Sequence, residues 1–218
     1  MKKIDGYDDI KVNRYPERIK LGGHICKILE VKIESFTSKK DGKTYEFMKI
    51  KYDIDKPDEQ AGFYSNKYKE DAKENALEAK WKGYHRVSVP TNESEDFIKS
   101  NFKAFITSVE KSNPGYNWNW EENTLVGKKF GGVFGFEEFT GSDGRTLTST
   151  KIRYVRSIEK IEEVEIPKVK LLDKTLMDYD DYIEMKQEER KEREQKENNF
   201  NDFESSGTSS IADDDLPF

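Results

Sequence analysis

The sequence predicts a mainly β fold: a five-stranded Greek-key barrel with added helices and a disordered acidic C-terminal tail. Three observations carry that expectation. Strand-like alternation with glycine turns fills most of the first 160 residues, helical spacing interrupts it twice, and apolar residues nearly vanish from about residue 186 until the last tripeptide. Of 218 residues, 33% are hydrophobic and 38% charged, lean for a single core of that length, so part of the chain is expected to stay unfolded.

Residues 21–36 are rich in β-branched and apolar side chains and read as a long first strand. Ile25, Leu29, Val31 and Ile33 share one face of it, with Lys27 interrupting. Asp41-Gly42, inside SKKDGKT, supplies a tight hairpin, because both residues tolerate positive φ. Residues 45–54 resume the extended pattern with Met48, Ile50, Tyr52 and Ile54 on the core face. The stretch 66–81, dense in Ala, Glu and Lys without Gly or Pro, predicts a helix over the barrel surface.

A short strand over 84–89 stops at Pro90. Ser94 then reads as an N-cap, followed by Phe97, Ile98, Phe102, Phe105, Ile106 and Val109 at helical spacing. After Asn113-Pro114-Gly115, the runs LVGKKFGGVFGFEEF and TSTKIRYVRSIEKI flank GSDGRT and form a second hairpin. Three strands, a helix and two strands is the order expected of the oligonucleotide-binding (OB-fold) barrel, an order other small barrels also fit. Residues 1–165 are therefore read as that domain and 166–197 as a charged, partly helical extension, with Leu176, Tyr179 and Ile183 on one side of its helix. A flexible linker over 198–212 and a tip over 213–218 complete the chain.

Charge divides the chain the same way. Residues 161–218 hold 8 Lys/Arg and 18 Asp/Glu, a net of −10; against 38 and 44 for the whole chain, that leaves 30 and 26 in residues 1–160, a net of +4. A mildly basic body with an acidic tail fits a polyanion-binding domain tethered to an interaction tail, although a run of charge is also what any solvated face carries. One cysteine, Cys26, precludes an internal disulfide. The lack of a long apolar run and the polar, acidic N-terminus lead to the expectation of a cytoplasmic chain with no membrane partner.

The second strand carries the clearest binding pattern. Opposite its core face lie Tyr45, Phe47, Lys49 and Lys51, rings to stack unpaired bases interleaved with ammonium groups to track phosphates. The alternative is a barrel strand whose Tyr and Phe pack under the 66–81 helix. The last hairpin repeats the theme, with Ile152, Tyr154 and Ile158 expected inward, and Lys151, Arg153 and Val155 outward. Arg145 in its turn, and Lys39, Lys40 and Lys43 in the first turn, are placed to flank a groove. Phe134 and Phe136 are expected in the core, and at least one of Trp118 and Trp120 at the surface.

No catalytic residues, cofactor or metal are expected. His24 and His85 are far apart and lack cysteine neighbours, VGKKFGG lacks the spacing of a phosphate loop, and Glu137 and Glu138 point to opposite faces of a strand. Scattered carboxylates leave a metal-dependent nuclease open.

The chain ends in Asp213, Asp214, Asp215, Leu216, Pro217 and Phe218, so apolar residues return abruptly after a polar linker. A partner with an apolar pocket for Phe218, a cation for its carboxylate and a basic rim for the aspartates fits such an end. DDDLPF closely resembles the acidic tip of bacterial and phage single-stranded DNA-binding proteins, which also follows a disordered linker. The resemblance implies an OB-fold domain that coats single-stranded DNA during replication, recombination and repair, in a phage-encoded setting. It also implies a tip that docks a polymerase, helicase, primase or recombination mediator. The bacterial members have shorter domains without a counterpart to the 66–81 helix, which leaves homo-oligomerisation open. A reading of a different class is a protein-interaction adaptor or decoy that uses the same tip without binding DNA.

Overall fold

The structure, a computed structural model, describes residues 18–39 and 42–206, with side chains through residue 196. Lys40, residues 207–212 of the expected linker and the tip residues 213–218 lie outside the described residues, whereas residues 198–206, expected as flexible linker, are helical. The described chain is mostly β, with one open mixed sheet of seven strands and three helices. Strands β1 (Gly22–Thr37), β2 (Thr44–Ile54), β3 (Tyr84–Ser88), β4 (Lys129–Thr140) and β5 (Thr146–Arg156) are the five expected ones. Two-residue strands β6 (Val169–Lys170) and β7 (Leu176–Met177) add to them. The order is β3-β2-β1-β4-β6-β7, with β5 on β4.

The chain divides into two compact units: the described residues through Gly135 with Thr150–Ile166, and Phe136–Ser149 with the described residues from Pro167 onward. In the first, Met48, Ile50, Tyr52 and Ile54 of β2 form the core as their alternation predicts. In β1 the face is corrected. His24, Cys26 and Ile28 point inward, and Leu29 is an extra residue with no partner on β2, since Ile28 faces Tyr52 while Glu30 faces Lys51. This bulge shifts the pleat by one residue, so Val31 is buried, whereas Leu29 and, near the end of the hairpin, Ile33 are largely exposed.

Helix α1 is Phe63–Glu74, shorter than expected and shifted toward the N-terminus. Beyond Asn75 the helical composition continues, but before Trp81, which packs against the core, it offers no buried side chain; Leu77 is fully exposed. Trp81 instead donates its indole N–H to the Gly83 carbonyl (3.1 Å), which holds the chain extended. Gly83 is required there, because a Cβ would come within 2.8 Å of the Tyr64 ring.

What starts α1 is remote in sequence. Asp53 of β2, 8% exposed, accepts from the N–H groups of Tyr64 (2.9 Å) and Ser65 (3.2 Å) and so caps the helix N-terminus. Beside it the Tyr64 hydroxyl, pushed up to about 12 by burial, accepts from Tyr52 (3.3 Å). Asp53→Ala leaves those N–H groups buried without an acceptor and is expected to lower the unfolding free energy by about 1–3 kcal/mol, read from urea denaturation midpoints.

Helix α2 (Asp96–Ser112) starts after Ser94, which closes a turn by accepting from Thr91 N–H (2.8 Å) rather than capping the helix. Phe102, Phe105, Ile106 and Val109 form its buried stripe, while Phe97 falls outside it. Asn113 then acts as a strand surrogate, accepting from Lys129 N–H (3.0 Å) and donating to the Lys129 carbonyl (2.8 Å). The Ser108 hydroxyl donates to the Arg156 carbonyl and Ser112 accepts from Ile158 N–H (3.0 Å), which fastens α2 to the end of β5. Among the described residues β3 and β5 share no ladder: β3 ends the sheet and β5 pairs with β4.

In the second unit, helix α3 (Tyr179–Ser206) begins later than residue 173 and runs past residue 197. Leu176 lies in β7, not on the helix, and is exposed. The anchor is Tyr182, 2% exposed: Thr148 donates to its hydroxyl (2.6 Å), which donates to Glu138 (3.2 Å). Phe136 is half-buried against Tyr179 and Tyr182 (ring centres 5.9 and 6.2 Å), whereas Phe134 is fully buried in the first unit's core. Among the described residues no helix is long and apolar enough to cross a membrane.

Candidate nucleic-acid interface

Antiparallel register places opposite residues on the same face, so the pairings of β2 with β1 and β3 define rows across the outer surface. Phe36 lies opposite Tyr45; Phe47 lies between Glu34 and Ser88; Lys49 lies between Lys32 and Arg86; Lys51 lies between Glu30 and Tyr84. The structure thus brings Tyr45, Phe47, Lys49 and Lys51 together on one face, as expected, and adds Phe36, Lys32, Tyr84 and Arg86. The added residues on β3 were visible in YHRVS, whose alternation sets Tyr84, Arg86 and Ser88 apart from His85 and Val87.

Rings and cations on this face are already interleaved. Phe36 and Tyr45 stack with centres 5.7 Å apart and planes 25° apart. The Arg86 guanidinium lies 5.0 Å from the centre of the Phe47 ring, Lys49 5.0 Å from Tyr84, and Lys51 4.6 Å from Trp81. Phe36, Tyr45 and Tyr84 are 54%, 39% and 42% exposed, so the rings remain accessible. The helix that the alternative reading laid over them ends at Glu74, and what lies over Phe47 is Arg86.

Four cations, Lys32, Lys49, Lys51 and Arg86, meet two carboxylates, Glu30 and Glu34. Lys49 pairs with Glu34 at 2.9 Å, and the Lys32 ammonium beside Glu30 holds that carboxyl below its ordinary range. These short-range pairs keep the long side chains extended over the sheet and leave the face net positive. A surface of this kind stacks bases without reading them and follows a phosphate chain.

The remaining expected residues are distributed differently. Lys39 and Lys43 are exposed beside the β1–β2 turn, closed by Ser38 N–H to the Lys43 carbonyl (2.8 Å). On β5, Lys151 is exposed and Arg153 half-buried. Tyr154 is a correction: it is 43% exposed, while Ile152 and Val155 pack against the core. Those inward positions are three apart, so strict alternation does not hold through this part of the strand. Arg145 belongs to the second unit, where it pairs with Asp143 and holds that carboxyl below its ordinary range.

Trp118 packs against the core, and Trp120, 72% exposed, stacks on Phe102 (5.9 Å, 15°). His24 is not an ordinary strand residue: it is buried, with Nδ1 3.0 Å from Asp58 and Nε2 3.0 Å from the Lys20 carbonyl. Cys26 is buried, which pushes its thiol well up. Among the described residues no group of three or more His, Cys, Asp or Glu is placed to hold a metal ion. No protein-family model matches the chain, and no significant match is found among curated proteins.

Proposed function

We propose that this chain is a non-enzymatic single-stranded DNA-binding protein that coats exposed strands during replication or recombination. Its C-terminal tip recruits a polymerase, helicase, primase or recombination mediator. The observation that carries the DNA-binding reading is the outer face of β1-β2-β3, where accessible rings alternate with cations across three strands. The element order also supports an OB-type barrel, one left open between β3 and β5. Recruitment rests on the resemblance of DDDLPF to the acidic tips of known strand-binding proteins, and a phage-encoded protein working in the host cytoplasm fits the same resemblance.

Binding through ammonium and guanidinium groups releases counterions from the strand, so affinity falls with salt. The expected log-log slope is about −0.7 for each contacted phosphate, read by anisotropy of a labelled oligo-dT across a salt series. Binding that ignores salt would overturn the proposal.

A further inference from the structure

Where β3 and β5 do not pair, a cleft of about 260 Å³ opens between their edges, with α2 as its floor. Its walls include Arg86 and Ser88 from β3, Phe97 and Asn101 from α2, and Arg153 and Tyr154 from β5. It is smaller than the roughly 300–1,000 Å³ of sites that hold drug-sized ligands. One planar heterocycle is the scale of group it accommodates.

Arg86 belongs both to this cleft and to the outer face, since its guanidinium lies over Phe47 while its residue lines the cleft wall. A strand lying across Phe47, Lys49 and Arg86 therefore reaches the cleft mouth without leaving protein surface. There it meets two accessible rings, Phe97 at 60% and Tyr154 at 43% exposure, and an arginine from each wall, Arg86 and Arg153. Exposed rings give a base faces to stack on, and flanking guanidinium groups suit the phosphates on either side of it. Deeper in, burial pulls the His85 imidazole down to about 4, so it is neutral at physiological pH and offers one donor and one acceptor. Asn101 adds an amide with both.

We infer that this cleft receives one unstacked base of the bound strand, turned off the outer face at Arg86 and held between Phe97 and Tyr154. The inference rests on the single-stranded DNA reading and adds to it a discrete base site beyond the stacking surface. A duplex does not present such a base without unpairing it, so the cleft also contributes to choosing single strands.

The double variant Phe97→Ala/Tyr154→Ala tests it, because both side chains are exposed and their loss leaves the buried stripe of α2 and the core contacts of β5 intact. With thermal unfolding unchanged, its affinity for oligo-dT is expected to fall about 5- to 150-fold, the loss of one stacked base. A 2-aminopurine within the oligonucleotide, quenched on the wild type, is expected to lose part of that quenching. Oligo-dT binding and quenching equal to wild type overturn the cleft assignment while leaving the outer face in place. An equally large loss on an abasic phosphodiester strand also overturns it, since phosphates rather than a base would then occupy the cleft. Wild-type protein that binds no oligo-dT at low salt removes the underlying reading and this one together.

Discussion

The double variant Tyr45→Ala/Phe47→Ala is expected to bind oligo-dT at least about 30-fold more weakly than the wild type, with its thermal stability nearly unchanged. Each ring that stacks a base contributes ~1–3 kcal/mol, and the two lie on the same side of β2, opposite the core residues Met48 and Ile50. The loss extends beyond the two rings. Tyr45 is the stacking partner of Phe36, and Phe47 is the surface on which Arg86 rests, so both substitutions also release a neighbouring contact. Anisotropy titration at fixed salt reads the affinity, and a denaturation curve separates a binding loss from an unfolded domain. Wild-type affinity in a folded double variant would move the binding site off this face.

Deleting residues 213–218 is expected to have the opposite signature: recruitment of replication and recombination enzymes disappears, while DNA affinity rises modestly. Residues 161–218 carry a net −10 tethered to a body of +4, a local concentration of anions that competes with DNA for the cationic groups. Removing three aspartates weakens that competition. Pull-down of replication enzymes by the full-length and truncated proteins, alongside oligo-dT titrations of both, reads the two effects separately. Unchanged recruitment by the truncated chain would contradict the role assigned to the tip.

The parts of the fold legible in the sequence were those fixed by local periodicity. β2 alternates cleanly, so its core face and its aromatic-basic face both follow from residues 45–54, and the stripe from Phe102 to Val109 marks α2. What escaped depends on long-range partners. The bulge at Leu29 exists only because β2 pairs with β1 out of step there, and no residue in ILEVK announces it. Asp53 reads as a polar interruption in a strand until Tyr64 and Ser65 come within reach of it. Helical composition over 66–81 overstated α1, because composition sets propensity while packing decides length. Tyr182 was passed over for Tyr179 and Ile183, since its burial follows from Thr148 and Glu138, more than 40 residues away in the case of Glu138. At the candidate interface, Lys49 and Lys51 were readable from one strand, but the contribution of Tyr84 and Arg86 required the register of β3.

The most direct test of the central claim is a parallel titration of the full chain with labelled oligo-dT and with a duplex of equal length at the same low salt. Stacking rings beside cations predict tight, salt-sensitive binding to the single strand and a much weaker, purely electrostatic interaction with the duplex. Equal affinity for both, or no binding to either, would contradict a face built to stack unpaired bases.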